Sequence, residues 1–214
     1  MNGDEPTGHR TEVTVPGSGT WWGYTTVPQP DVGCCFDQLR RRSQPALAAA
    51  AVHEAGHAVT ALFAGMLPND LQIEAVAPCG QCGADRARGA NRTVDLGQVA
   101  AHDVLLVLAA GVQAELEWAR QQGPLDPAEQ WAIETGGLDD QHLAREVADS
   151  LAGVWPALDY RDPGPWPRSW NWWHQQDRAR ARVIQLQPQI EAVATRLLVD
   201  RHVPAADLPH LILG

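Results

Sequence analysis

Two histidines four apart flank a glutamate in "AAAAVHEAGHAVTALFAG", residues 48–65. On an α-helix, residues four apart are offset by about 40° and about 6 Å. His53 and His57 therefore project together and can place two ring nitrogens on one tetrahedral metal. Glu54 lies about 100° around from His53 and can serve a water without being spent as a ligand. Zinc held this way brings the pKa of a water toward neutrality. Glu54 would take that proton during attack on a carbonyl and return it to the leaving amine. The blander reading is a helix with two hydrogen-bonded, half-buried histidines. Both rings border the apolar stripe Val52, Ala55, Gly56, Val59, Leu62, Phe63 and Met66. At the edge of a core they need polar partners on either reading.

A catalytic zinc takes three protein ligands and keeps one position open. The metzincin extension would need a Gly at Thr60 and a His at Phe63, so it is absent. Glu115 and Glu117 on a following helix could supply a carboxylate, as could Asp139 or Asp140 at the expected start of a third. One of that Asp pair is also expected to act as a helix N-cap. His142 is a minor alternative ligand, and His102 reads as a helix-surface residue.

These residues need elements to position them. The first long helix is expected from Ser43, a plausible N-cap, to about Gly65. "DLQIEAVAP", residues 70–78, alternates like a strand, and a polar Gly-containing loop should follow to about Leu96. From Gly97 to Gln122 the run is apolar on nearly every side, as a central helix would be. Glu115 falls within its stripe. A Pro- and Gly-marked connection leads to "TGGLDDQHLAREVADSLAGV", read as a loop and a helix over 139–154. A Trp- and Pro-rich segment precedes a last helical region, about 177–200, which Pro188 should kink or restart. The chain closes with a short turn of helix. Residues 1–42 read as an irregular N-terminal arm whose Trp21 and Trp22 pack on the body, and residues 43–214 as one domain. The expected fold is mainly α, with a small β element.

Of 214 residues 44% are hydrophobic, ordinary for a folded domain. Net charge is −10, and all 16 basic residues are Arg. That balance argues against a nucleic-acid partner. The absence of Lys excludes a Walker-type phosphate loop, which ends in GK[ST]. The N-terminus lacks a basic and apolar leader, and no run reaches about 18 uninterrupted apolar residues. On those grounds the chain reads as cytoplasmic and not membrane-spanning. Cys34, Cys35, Cys79 and Cys82 are either free thiols in loops or a second, structural zinc site; a CGQC redox pair is the weaker reading. Trp170, Trp172 and Trp173 fit either a loop folded on the helices or a partner-binding surface.

The motifs together resemble the peptidase domain of the membrane-anchored AAA zinc proteases of the FtsH type. "HEAGHA", residues 53–58, matches the start of the family's first long helix. "AGVQAEL", residues 110–116, is similar to a GGRAAEE-like stretch, with Glu115 at the shared Glu. "TGGLDDQHLAREVA", residues 135–148, resembles the turn that carries the family's third ligand. The resemblance covers about residues 44–214. It implies a zincin-like, mainly helical peptidase with His53, His57 and Asp140 on Zn2+, Glu54 as base, and Glu115 as a supporting acid. It also implies that substrate adds as a strand beside 71–77. The family's AAA module and transmembrane segments have no counterpart here. The expected activity is thus ATP-independent hydrolysis of peptides or unfolded proteins, or cleavage fed by a separate ATPase, with self-association conceivable. The competing expectation is a non-catalytic zinc-binding adaptor or regulatory relative that binds a protein partner. An intact Glu54 speaks against it.

Overall fold

A computed structural model of the chain describes residues 8–15, 19–31, 35–39, 45–91, 99–152, 158–161 and 170–214. Two helices form its centre, α1 (Ala46–Phe63) and α2 (Ala101–Gln121), packed on each other. Both are apolar around most of their circumference, so each must be covered on several sides. In α1, Val52, Ala55, Ala58, Val59 and Ala61 are buried; in α2, the run Val104–Leu116 is buried throughout. By length and composition α1 could cross a membrane, but 61% of it is buried within the fold.

The covering elements are α3 (Pro127–Gly136), α4 (Leu138–Ala152), α5 (Trp172–Gln185), α6 (Gln187–Asp200) and the terminal α7 (Leu208–Leu213). Helix α5 lies on α2, and α6 on α1. As the sequence suggests, Pro188 restarts the last helical region: it stands in the first turn of α6, where a missing N–H costs nothing. A three-stranded antiparallel sheet in the order β4-β3-β5 rests against α1, with β3 at Leu71–Val76, β4 at Arg86–Asn91 and β5 at His202–Val203. The fold is mainly helical with a small antiparallel sheet.

Four local expectations need correction. The N-terminal arm is not irregular over its described part: β1 (His9–Val15) and β2 (Gly19–Thr25) form an antiparallel hairpin. Its fully buried positions among the described residues are Thr11, Gly23 and Thr25, and only Val13 and Trp21, half-buried on the same face, add an apolar signal. The two Thr hydroxyls bond each other at 2.9 Å, and the Trp131 indole donates to Thr11 at 3.1 Å. The hairpin docks through Gln141, which accepts from the Tyr24 N–H and donates to its carbonyl. Trp21 stacks edge-on against His142, and Trp22 lies under the Arg145 guanidinium, so both do pack on the body.

The polar stretch after β3 contains β4, an end strand of Arg, Ala, Gly and Asn that has little apolar signal to give. The connection before the third expected helix contains α3. Asp126 caps it by accepting from the Ala128 N–H, and Pro127 pre-sets its first turn. Helix α5 starts at Trp172, five residues early, because Asn171 caps it through the His174 N–H. Trp172 is 1% exposed, while the Trp173 indole donates to the Tyr160 carbonyl. The described part of the Trp-rich segment is therefore folded onto the helices. Ser43 and Cys34 lie outside the described residues.

Candidate metal centre

The i, i+4 spacing on α1 does what helical geometry requires. His53 Nε2 and His57 Nε2 stand 3.1 Å apart. From α4, Asp140 Oδ2 approaches them at 3.1 and 3.4 Å. All three donor atoms fall within 4.8 Å of one another, a group able to hold a metal ion. Asp140 reaches this point because the α3–α4 corner lies directly on α2. A Cβ at Gly137 would sit 2.0 Å from Val112 Cγ2, so only Gly lets the corner come this close. Helix α4 begins at Leu138, so Asp139 and Asp140 both lie in its first turn, where negative charge suits the helix dipole; neither is the N-cap itself.

The rings are oriented from behind. His57 Nδ1 is 2.7 Å from the Val107 carbonyl, which can only accept, so Nδ1 carries the proton and Nε2 is directed at the cluster. Glu115, 3% exposed, sets Oε2 3.7 Å from His53 Nδ1. A carbonyl or carboxylate behind an imidazole is the kind of group that orients histidine ligands at metal sites. The cluster thus joins two imidazole nitrogens and a carboxylate oxygen whose lone pairs converge. Without a cation, only protons can keep them together.

The charge state agrees with that description. Burial works against the imidazolium of His53, but Asp140 and Glu115 outweigh it and its pKa lies well above the ordinary value. Burial also opposes charge on His57, and Asp140 again carries its pKa upward. For Asp140, burial is overcome by His57 and His53, which hold the carboxyl well below the usual range. Asp139 is pushed up to about 6, first by burial and then by the Asp140 charge beside it.

Glu54 stands apart from the cluster, 7% exposed, and its Oε2 is buried with no hydrogen-bond partner among the described residues. An unpartnered buried carboxylate oxygen is costly, and its burial raises the Glu54 pKa. Strand β4 crosses directly over it: a Cβ at Gly89 would lie 2.1 Å from Glu54 Oε1. His53 and Glu54 line a cleft of about 430 Å³ together with Arg86 to Gly89 of β4 and with Thr135, Gly136, Leu138 and Asp139 of the α3–α4 corner. No protein-family model matches this chain, and no curated protein matches it.

The other candidates fall away from the cluster. Glu117 binds Arg120 and Arg180. His142 faces Glu146 and Trp21, and His102 lies by Asp103 on the surface. Cys35, Cys79 and Cys82 form a separate group. Strand β3 is central in its sheet, so the expected strand addition beside 71–77 is blocked along the side that β4 occupies; the end strand at the cleft is β4.

Sequence reasoning passed over Gly111. A Cβ there would come within 2.3 Å of His57 Nε2 and 2.6 Å of His53 Nε2, in the space the two nitrogens share. A signal existed: an interior helical Gly costs about 1 kcal/mol against Ala and implies a packing reason. The Val107 carbonyl left no such trace, since a backbone acceptor is independent of residue type.

Proposed function

We propose that this protein is a zinc-dependent endopeptidase, ATP-independent and similar in its catalytic plan to the FtsH-type peptidase domain. The observation that carries the reading is the convergence of His53, His57 and Asp140 near a buried carboxylate oxygen of Glu54 that has no hydrogen-bond partner among the described residues. Two imidazoles and one carboxylate suit Zn2+ and leave a position open. A purely structural site has no use for Glu54.

Zinc, when bound, supplies Lewis acidity and a water of lowered pKa. With His53, His57 and Asp140 holding the metal, the Glu54 carboxylate would take a proton from that water as its oxygen adds to the peptide carbonyl carbon, and would return it to the amide nitrogen as the C–N bond breaks to a carboxyl and a free amine. The raised pKa of Glu54 suits a group that must hold a proton between those two events. Strand β4, at the edge of its sheet, offers backbone groups on which an extended chain can lie. Thr135, whose buried hydroxyl has no hydrogen-bond partner among the described residues, lines the same cleft.

The test is cleavage of an unfolded model protein by the zinc-loaded chain. Hydrolysis should stop on chelation and return with Zn2+. A zinc-loaded protein that cleaves no unfolded chain or peptide contradicts the proposal.

Two further results are expected. Gly111→Ala should weaken zinc retention by displacing both rings, while helix content by circular dichroism holds or rises. Unchanged zinc affinity would show that the rings have room. The second concerns pH. In metal-free protein the raised His53 and His57 pKa values contribute stability below the ordinary value of about 6.5. That contribution is lost as pH climbs through the raised folded values. The depressed Asp140 carboxyl contributes above the ordinary Asp value and loses its share only in strong acid. Protons compete with zinc for the same nitrogens. The gain in melting temperature on adding zinc should therefore be larger at about pH 8.5 than at about pH 6. Calorimetry at matched ionic strength checks this; an equal gain at both would mean that the imidazoles are not the ligands.

A further inference from the structure

Cys79 and Cys82 stand on the tight turn between β3 and β4. The Gly83 N–H donates to the Cys79 carbonyl at 2.8 Å and the Cys79 N–H to Ala84 at 3.0 Å. Gly83 takes φ +71, which lets the chain fold back so that both thiols face one side. Cys35, 47 residues before Cys82, enters from the opposite direction at the head of the 3-10 turn Phe36–Leu39. Its Sγ lies 3.5 Å from that of Cys82, and the three sulfurs are within 4.8 Å of one another. A disulfide would need about 2.05 Å. Tetrahedral zinc with bonds of about 2.3 Å sets sulfurs about 3.8 Å apart.

Apolar packing does not account for the meeting. Cys35 and Cys79 are half-buried and Cys82 is exposed, and the turn between the last two is exposed polar chain. The junction has a consequence for the cleft. Asp37 of the 3-10 turn pairs with Arg86 of β4 at 3.4 Å, and both line the cleft. The same 3-10 turn packs against α3. A tie at the three sulfurs would hold one short segment against both the β4 wall and the α3 wall.

We propose that Cys35, Cys79 and Cys82 bind a second, structural Zn2+, which clamps residues 35–39 across the cleft between β4 and α3. Three thiolates supply the charge a divalent ion needs. Cys34 is outside the described residues and has no part in the assignment. The site does not depend on the peptidase reading.

The test begins from a chain carrying both His53→Ala and His57→Ala, purified under reducing conditions, so that any zinc retained is held elsewhere. One equivalent of zinc should remain. Replacement by Co2+ should give the intense near-ultraviolet band of thiolate-to-cobalt charge transfer, which a His and Asp site cannot produce. Adding Cys82→Ser should abolish both signals. A chain that retains no zinc overturns the proposal, as does one whose zinc survives Cys82→Ser or whose intact mass shows a disulfide instead of metal. If the variants do not fold, alkylation of the wild type decides. Cys35, Cys79 and Cys82 should react more slowly with zinc present than after chelation, and equal rates would refute the site.

Discussion

Asp140→Ala should cost the protein its metal at the histidine pair. Among the described residues Asp140 Oδ2 is the carboxylate oxygen grouped with both Nε2 atoms, while Asp139, its neighbour, accepts from the Asp140 N–H. Loss of an outer partner at such sites weakens binding by about 10- to 100-fold, so loss of a ligand should exceed about 100-fold. The change should also be visible without metal. Asp140 is the common cause that raises both histidines, and without it burial prevails and their pKa values should fall. Isothermal titration with Zn2+ reads the first effect, and imidazole proton shifts against pH read the second. Retention of zinc within a few-fold of wild type would remove Asp140 from the site.

Glu54→Gln separates binding from chemistry. The amide keeps the size of the carboxylate but cannot accept a proton at the operating pH. General-base removal should lower kcat/KM for an unfolded substrate by about 10²- to 10⁴-fold. Zinc content should remain that of wild type, since Glu54 is outside the ligand group. Stability should move in the other direction. Burial raises the Glu54 pKa, so the folded protein pays to keep that group charged above its ordinary value, and the neutral amide escapes this cost. An inactive variant with equal or higher melting temperature and full zinc is the expected combination. Lost zinc or a markedly lower melting temperature would mean that Glu54 is structural.

What the sequence made legible follows from where its signals were strong. The spacing of His53 and His57 states its own geometry, and the structure brings both rings together as that spacing requires. The long apolar run of α2 announced a central helix, and the apolar stripe of α1 a helix packed against other elements. Asp140 was harder: its approach depends on the α3–α4 corner settling on Val112, a long-range contact that no local pattern encodes. Strands β1, β2 and β4 escaped because their most buried positions are largely Thr, Gly and Ala, which carry little hydropathy signal. The same limit hid Gly89 and Gly111, whose role is to leave room beside Glu54 and the histidines.

The most direct test of the central claim is the zinc-edge anomalous difference map of crystals grown from zinc-loaded protein. A peak is predicted within bonding distance of His53 Nε2, His57 Nε2 and the Asp140 carboxylate, with the fourth position open toward Glu54 and the cleft. No peak at that position, or a peak closed by four protein ligands, would contradict a catalytic centre there.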